Sequence, residues 1–245
     1  MCGIIGVAGK IFLKEEQVFK ILAKLDTIRG EHSTGVCSIT KDIGNWDTLK
    51  DIGTPYELFN SAEFTSLMRR SHSALFCHNR AATKGAVNVN NAHPFNHGDY
   101  VGCHNGTLAN TYNLKDHKKF EVDSENIYYN MAEEGHIETI KKLNGAFALC
   151  WYNAGLHTIN LVRNNERPMY FCYSKDNKTI FWASESWMLR VATSRVGVEI
   201  GEVQFLESGK LMTINVPVVA GGLISEIKHT QEGVEFYKAP EFREG

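Results

Sequence analysis

The feature that most restricts the fold of this sequence is a run of four short apolar segments, residues 146–152, 158–163, 169–173 and 179–183. Each segment has the length of a β-strand, and turn residues such as Asn153-Ala154-Gly155 separate them. Their apolar residues do not simply alternate with polar ones, which is typical of sheets that are covered on both faces. The pattern predicts a layered domain with buried sheets.

The rest of the chain mixes predicted strands with predicted helices. Apolar residues recur at helical spacing in residues 15–29, and Gly30 is the predicted end of that helix. Further helices are predicted at 55–70, 125–142 (with a break at Gly135) and 186–193, and further strands at 4–9, 35–40, 74–78 and 100–103. Residues 204–214 are predicted to form a hairpin around Ser208-Gly209. Strands and helices in separate runs indicate the α+β fold class.

The composition gives no reason to expect nucleic acid or a membrane as a partner. The formal net charge is −2, so nothing in the bulk charge indicates nucleic acid or an anionic membrane as a partner. No apolar run approaches the roughly 18–20 residues that span a bilayer. A signal peptide has a basic segment before its apolar run, and the apolar N-terminus of this sequence has none. A cytoplasmic location is therefore predicted.

The six cysteines form no CxxC pair and no zinc-type spacing. Buried core cysteines are therefore expected, and neither a metal nor a cofactor is predicted.

Cys2 is the first candidate for chemistry. When the initiator Met1 is removed, the thiol and a free α-amine belong to the same residue. An α-amine has a pKa of roughly 7.7–8.0, so near neutral pH it is partly unprotonated and can accept the proton of the thiol. A thiolate made in this way attacks an amide carbonyl without a histidine. A cysteine at position 2 is weak support for catalysis when taken alone.

An ordered set of motifs accompanies Cys2. The chain begins Cys2-Gly3-Ile4-Ile5-Gly6, and the later motifs are Arg29-Gly30 with Ser33 and Gly35, Arg80-Ala81-Ala82-Thr83-Lys84-Gly85, Asn91-Ala92-His93-Pro94, His104-Asn105-Gly106, Asp123-Ser124-Glu125, Leu143-Asn144-Gly145-Ala146-Phe147-Ala148, Arg167-Pro168 and Ala183-Ser184-Glu185. In this order they resemble the class II glutamine amidotransferases, which are N-terminal-nucleophile hydrolases. The resemblance covers residues 2–215.

The resemblance implies a fold and an activity. The fold would be a four-layer αββα sandwich of two mainly antiparallel sheets. The domain would span residues 2–215, followed by an extension of unknown role at 216–245. Its activity would be hydrolysis of the glutamine side-chain amide, through a thioester on Cys2, to glutamate and ammonia.

The resemblance also assigns the oxyanion donors. They would be the side-chain amide of Asn105 and the backbone N–H of Gly106, and losing one such donor typically costs about 2.7–4 kcal/mol of transition-state stabilisation. Asn-Gly is also a common hairpin turn, and both readings remain open here.

Recognition of a free amino acid needs partners for two charges. Arg80 suits the α-carboxylate, because its planar guanidinium makes two parallel hydrogen bonds. The resemblance adds Thr83 as its assistant and assigns the α-ammonium to Asp123. The alternatives are a surface salt bridge for Arg80 and a helix N-cap for Asp123 or Ser124.

Two further residues receive supporting roles from the resemblance. His93 would shape the glutamine pocket rather than act as a base. Arg29 would orient the N-terminal segment and favour the thiolate, unless it only complements a helix dipole. The chain departs from the family at three positions. Ala81 stands where the family often has Trp, Lys84 where it has His or Ser, and His32 where it usually has Asp.

The expected partners are glutamine and a separate ammonia-consuming synthetase, because no synthetase motif is present. An enzyme that hydrolyses γ-glutamyl amides or peptides on its own is the alternative. A metal hydrolase is disfavoured, because the ten histidines form no compact ligand cluster. A non-catalytic binding module on the same scaffold is disfavoured by the joint presence of Cys2, Arg80, Asn105, Gly106 and Asp123.

Overall fold

The structure is a computed structural model that describes residues 1–41, 44–217 and 226–237. In these ranges the chain forms thirteen β-strands and six α-helices. The strands are β1 (Gly3–Gly9), β2 (Ser33–Thr40), β3 (Trp46–Ile52), β4 (His72–Arg80), β5 (Phe95–His97), β6 (Tyr100–Asn110), β7 (Asn144–Asn153), β8 (Thr158–Arg163), β9 (Tyr170–Tyr173), β10 (Thr179–Ala183), β11 (Gln204–Phe205), β12 (Lys210–Asn215) and β13 (His229–Gly233). The helices are α1 (Leu13–Leu25), α2 (Pro55–Leu58), α3 (Ala62–Leu67), α4 (Asp123–Glu134), α5 (His136–Ile140) and α6 (Ser186–Val196). None of these described helices combines the length and the apolar character that a bilayer crossing requires.

The strands form two antiparallel sheets. The seven-stranded first sheet has the order β11-β9-β10-β1-β4-β2-β3, and the six-stranded second sheet has the order β13-β12-β8-β7-β6-β5. All neighbouring strands run antiparallel. β1 lies at the centre of the first sheet, so the N-terminal residues are held on both sides.

Three hydrophobic clusters divide the molecule into four layers. The inner cluster lies between the sheets and includes Phe76 and Trp182 from the first sheet and Tyr152 from the second. The outer clusters place α1 and α6 on the first sheet and α4 on the second. This is the predicted αββα sandwich. Both faces of each sheet are buried, which explains why the strands lack a simple polar alternation.

The five cysteines other than Cys2 are free and buried, as predicted for core residues. Cys37 and Cys150 lie between the sheets, and Cys172 lies under the outer helices. The pKa of the Cys150 thiol is raised by burial. A thiol of this kind stays protonated and unreactive at neutral pH.

The predicted first helix ends in a tighter turn that serves the functional region. α1 is followed by a 3₁₀ turn at Asp26–Arg29, and Gly30 then adopts an extended conformation. A side chain at Gly30 would meet the backbone of Arg80 at 2.5 Å. The glycine therefore lets the chain pass close to the end of β4.

Two other helix predictions need changes. The predicted helix at 55–70 is two short helices, because Ser61 accepts a hydrogen bond from the Phe64 N–H and caps a new helix. β3 precedes them in a region without a predicted element. The predicted helix at 125–142 is divided into α4 and α5 at Gly135, which has a φ of +88°.

The predicted hairpin at 204–214 is wrong. β11 pairs with β9 in the first sheet, whereas β12 pairs with β8 in the second. Leu206 is buried in the core between the sheets, and its carbonyl accepts a hydrogen bond from Arg163 Nε at 2.6 Å. The segment therefore crosses from one sheet to the other.

Part of the predicted C-terminal extension belongs to the second sheet. β13 pairs with β12 along five residue pairs, and Phe236 packs against Phe147 with ring centroids 5.0 Å apart. Residues 218–225 and 238–245 lie outside the described residues. The role of 216–245 and the boundary at 215 stay predictions.

Candidate active site

A small cavity lies at the amino end of β1. Six of the eight predicted site residues line it, namely Cys2, Arg80, Thr83, His93, Gly106 and Asp123. The remaining two, Arg29 and Asn105, lie beside it and are described below. The cavity has a free volume of about 20 Å³, which is room for about one water molecule.

The thiol of Cys2 faces the end of β4. Its Sγ accepts a hydrogen bond from the Ala81 N–H at 3.3 Å and lies 3.5 Å from the Ala81 carbonyl oxygen. Burial raises the pKa of this thiol, while the Ala81 N–H, the N-terminal amine and Arg80 act to lower it. Met1 is exposed, whereas Cys2 is 9% exposed. The nucleophile candidate therefore lies at the boundary between core and solvent.

The backbone of Cys2 is fixed by a buried arginine. Arg29 Nε donates to the Cys2 carbonyl oxygen at 3.0 Å, and Arg29 also pairs with Glu185. On the next residues, Ser184 Oγ accepts from the Ile4 N–H at 3.0 Å. These contacts hold the first residues of β1 in one position.

Asp26 is a buried carboxyl beside the same segment. Asn79 Nδ2 donates to its Oδ2 at 3.1 Å, and a Cβ at Gly3 would meet that oxygen at 1.9 Å. Burial raises the pKa of Asp26 well above its usual range, although Arg29 and Asn79 oppose the shift. Gly3 is thus required by the close approach of Asp26.

Asn105 and Gly106 lie inside β6 rather than in a turn. They pair with Ala148 and Phe147 of β7, so the hairpin-turn interpretation is wrong. Both polar atoms of the Asn105 side chain are buried and have no hydrogen-bond partner among the described residues. A Cβ at Gly106 would meet the Ala146 carbonyl oxygen at 1.9 Å, so only glycine fits there.

Arg80 is at the end of β4 and turns back into its own loop. Its Nη1 donates to the Ala86 carbonyl oxygen at 3.0 Å, and its Nη2 donates to the Lys84 carbonyl oxygen at 2.5 Å. Thr83 Oγ1 lies 3.1 Å from Thr107 Oγ1. Arg80 is buried and faces the cavity, so the surface salt bridge is not its role.

Asp123 is the first residue of α4, and Val122 occupies the cap position. The N-cap interpretation is therefore wrong for both Asp123 and Ser124. Asp123 Oδ2 instead accepts the Leu108 N–H of β6 at 2.8 Å and lies 3.8 Å from Lys84 Nζ. This carboxylate is held at one wall of the cavity.

Three buried histidines form a cluster at the cavity, where His93 and His104 line it and His78 lies behind them. The rings of His78 and His93 are in contact, with centroids 3.8 Å apart and planes tilted by 33°, and His78 Nε2 lies 3.1 Å from the His104 carbonyl oxygen. Burial lowers the pKa of all three, that of His78 to about 3. Neither ring nitrogen of His93 has a partner among the described residues. These rings are neutral at physiological pH.

His72 and His78 are expected to make the domain less stable as the pH falls from about 6.5 to about 3. Burial lowers the pKa of His72 to about 4 and that of His78 to about 3, so the unfolded chain binds protons that the folded chain does not. Their stabilisation is complete above the unfolded pKa of about 6.5 and is lost as the pH falls. The loss is about 2 kcal/mol per histidine between pH 7 and pH 5. Urea unfolding at both pH values measures it.

His72→Asn is the matched variant for that experiment. His72 Nδ1 lies 2.8 Å from Ser38 Oγ, away from the cavity. The variant is expected to be less stable at pH 7 and to show a smaller difference between the two pH values. An unchanged difference would contradict the assignment.

Several contacts of the cavity have no signal in the sequence. The backbone N–H of Ala81 donates a hydrogen bond to Cys2 Sγ, and the backbone N–H of Ala82 donates to His32 Nδ1 at 2.8 Å. Because backbone groups occur in every residue, the residue types do not indicate these bonds. His104 and Ser124 also line the cavity, with His104 Nδ1 3.0 Å from Ser124 Oγ. The departures at His32 and Lys84 marked the loop as unusual without indicating these contacts.

Residues 78–191, which include the loop, the Asn105-Gly106 pair and Asp123, match the family described as the glutamine amidotransferase domain. The chain contains a class II glutamine amidotransferase domain. Outside this match lie Cys2 and the strand that carries it. In the folded chain Cys2 lies beside the matched residues, where its Sγ accepts the Ala81 N–H.

Curated relatives and a solved structure agree with this assignment. The amidotransferase domain is 33% identical over 165 residues to a glutamine–fructose-6-phosphate aminotransferase [isomerizing] of Zymomonas mobilis, covering 61% of this chain and 26% of the relative. It is 27% identical over 210 residues to 7-cyano-7-deazaguanine synthase 2 of Sulfurisphaera tokodaii, covering 75% of this chain and 43% of the relative. The chain thus spans less than half the length of either protein.

The fold of the amidotransferase domain is similar to that of glutamine phosphoribosylpyrophosphate amidotransferase from B. subtilis. The TM-score is 0.70 at 20% identity, over 95% of this chain and 49% of that one. The agreement extends the fold assignment beyond residues 78–191. The described residues contain no cluster of metal-ligating side chains.

Proposed function

We propose that this domain hydrolyses the side-chain amide of free glutamine to glutamate and ammonia. The observation that carries the proposal is the cavity, where one thiol, one arginine and one carboxylate converge. Arg80 and Asp123 are opposite in charge, as the α-carboxylate and α-ammonium of an amino acid require. Cys2 supplies the nucleophile for the amide.

In the proposed reaction Met1 has been removed, and the α-amine of Cys2 accepts the thiol proton. The sulfur then forms a bond to the side-chain carbonyl carbon, and the carbonyl electron pair moves to the oxygen. Collapse of this intermediate breaks the C–N bond, and ammonia leaves with the proton that the α-amine held. In the second half the amine accepts a proton from water, whose oxygen forms a bond to the thioester carbon. Collapse of this second intermediate breaks the C–S bond, the sulfur takes the proton back from the amine, and glutamate is released.

Asn105 and Gly106 are proposed to stabilise the oxyanion in both halves. Asn105 is available for this role, because its buried side-chain amide has no protein partner in the described residues. Donors that are already in place cost no reorganisation when the charge develops. Gly106 lines the cavity and is proposed to supply its backbone N–H as the second donor.

The other predicted residues position these groups. Arg29 is proposed to orient Cys2 through its carbonyl oxygen. The electrostatic support for the thiolate, which the resemblance assigned to Arg29, is proposed to come from Arg80 instead, because Arg80 acts to lower the pKa of the Cys2 thiol and Arg29 does not. Thr83 and His93 are proposed to shape the cavity. His93 is no candidate for the base, because burial lowers its pKa well below the usual value.

The ammonia is proposed to pass to a synthetase on a separate chain. One relative is named as an aminotransferase and another as a synthase, and in both proteins the segment similar to this chain is less than half of the length. The rest of each relative is therefore available for a second activity. An enzyme that acts alone on γ-glutamyl amides or peptides is the alternative. The cytoplasmic location also stays a prediction.

Ammonia release from glutamine tests the proposal. The purified protein is expected to hydrolyse glutamine at a kcat/KM at least about tenfold above that for γ-glutamyl dipeptides. Both substrates present the same α-groups to Arg80 and Asp123, but the small cavity favours ammonia over a whole amino acid as the leaving group. Intact mass is expected to be lower than that of the full sequence by one methionine. A preference for the dipeptides would contradict the glutamine proposal, and an active protein that keeps Met1 would contradict the assignment of the base.

A further inference from the structure

The two proposed substrate-charge partners are both occupied by one short segment of the chain, residues 84–86. Arg80 donates to the carbonyl oxygens of Lys84 and Ala86 at 2.5 and 3.0 Å. Asp123 faces the ammonium group of Lys84, with Nζ 3.8 Å from Oδ2. The segment thus presents carbonyl oxygens to the arginine and an ammonium to the carboxylate, as a free α-amino acid would.

The ammonium of Lys84 is seated between two acceptors. Its Nζ donates to the Leu108 carbonyl oxygen at 2.9 Å, and Asp123 accepts the N–H of the same Leu108 at 2.8 Å. The Asp123 side chain is 7% exposed, whereas that of Lys84 is 42% exposed. A buried carboxylate needs a cation, and a half-exposed lysine on a flexible stem can leave.

The backbone of this segment is held separately from the lysine side chain. The Ala86 N–H donates to Glu121 Oε1 at 2.6 Å, and Asn91 Nδ2 donates to the Ala86 carbonyl oxygen at 3.0 Å. A carboxylate that binds Arg80 competes with these carbonyl oxygens for the N–H groups of the guanidinium. Only a ligand with an α-ammonium must also displace Lys84 Nζ.

We infer that Lys84 supplies an internal substitute for the α-ammonium of the substrate and thereby sets the amino-group specificity of this pocket. The inference rests on the proposed glutamine site. With Lys84 on Asp123, the pocket takes γ-carboxamides that carry an α-carboxylate but no α-ammonium. Glutamine binds only after Nζ leaves. Lys84 therefore reduces the preference for glutamine over such an amide.

Binding to the Cys2→Ala variant tests the inference without hydrolysis. Two ligands are compared by calorimetry: glutamine, and glutaramate, which is glutamine without its α-amine. Adding Lys84→Met is expected to lower the Kd for glutamine by about two- to fivefold, the range of a partly exposed ion pair. The Kd for glutaramate is expected to stay the same or rise, because Asp123 then has no cation. The glutaramate-to-glutamine ratio of Kd values therefore rises.

Two controls accompany the experiment. Lys84→Arg keeps the cation, and its ratio is expected to stay closer to that of the parent than the ratio of Lys84→Met. Lys24→Met removes one charge from α1, outside the lining of the cavity, and is expected to leave the ratio unchanged. Thermal unfolding of each variant checks the fold.

The outcomes separate the two proposals. If Lys84→Met changed the Kd of glutamine and the Kd of glutaramate by the same factor, Lys84 would not compete with the amino group of the ligand. That result would overturn the inference. A weaker Kd for glutamine would overturn it too, because Lys84 would then be a substrate contact. If the folded Cys2→Ala protein binds neither ligand, the proposed glutamine site itself fails.

Discussion

Replacing Cys2 by alanine is expected to reduce ammonia release from glutamine to the rate of a protein-free blank. The proposed reaction uses no other nucleophile, and every later step passes through the thioester on this sulfur. The measurement is ammonia release at saturating glutamine, together with calorimetric binding of glutamine to the variant. Binding is expected to survive, because Arg80 and Asp123 are unchanged.

Cys172→Ala is the matched control for that loss. Cys172 lies on β9 under the outer helices and outside the lining of the cavity. Its removal is expected to lower the thermal midpoint slightly and to leave ammonia release intact. If the folded Cys2→Ala variant retained wild-type activity, the mechanism would be refuted, whereas equal losses in both variants would point to unfolding.

Replacing Asn105 by alanine is expected to lower kcat by about 10²- to 10³-fold, with a much smaller change in KM. The side-chain amide is proposed to donate only to the oxyanion, whose charge develops in the transition state, and one such donor has an effect of this size. The measurement is steady-state ammonia release over a range of glutamine concentrations.

Asn160→Ala provides the comparison for a buried asparagine of the same sheet. Asn160 lies on β8, where its side chain bonds Thr158 and Thr213, outside the lining of the cavity. Its loss is expected to lower the free energy of unfolding without a comparable effect on kcat. A rise in KM alone for Asn105→Ala would make this residue a substrate contact rather than an oxyanion donor.

Some elements could be predicted because their signal is local. The bounds of β8 and β10 agree with the predicted 158–163 and 179–183, since turn residues mark both ends of these apolar segments. The break of the helix at Gly135 is similar, because glycine is a poor helix residue wherever it occurs. Such features depend on neighbouring residues and little else.

Other elements depend on distant partners. β3 has polar residues on an edge strand, and only its pairing with β2 identifies it. Asn105-Gly106 has the sequence of a turn, but β7 pairs with both residues and keeps them in a strand. The false hairpin has the same cause, because Leu206 is drawn into the core between the two sheets.

The sequence alone was enough to identify the family and to predict the chemical groups of the proposed site, because the motifs occur in order along the chain and the chemistry of each side chain follows from its residue type. Only the tertiary structure decided which of these groups meet. The contact between Lys84 and Asp123, the Ala81 N–H on the thiol of Cys2, and the buried Asp26 beside Gly3 join residues from separate elements. Such contacts depend on sheet register and burial, which are properties of the whole packed chain rather than of any local stretch of it.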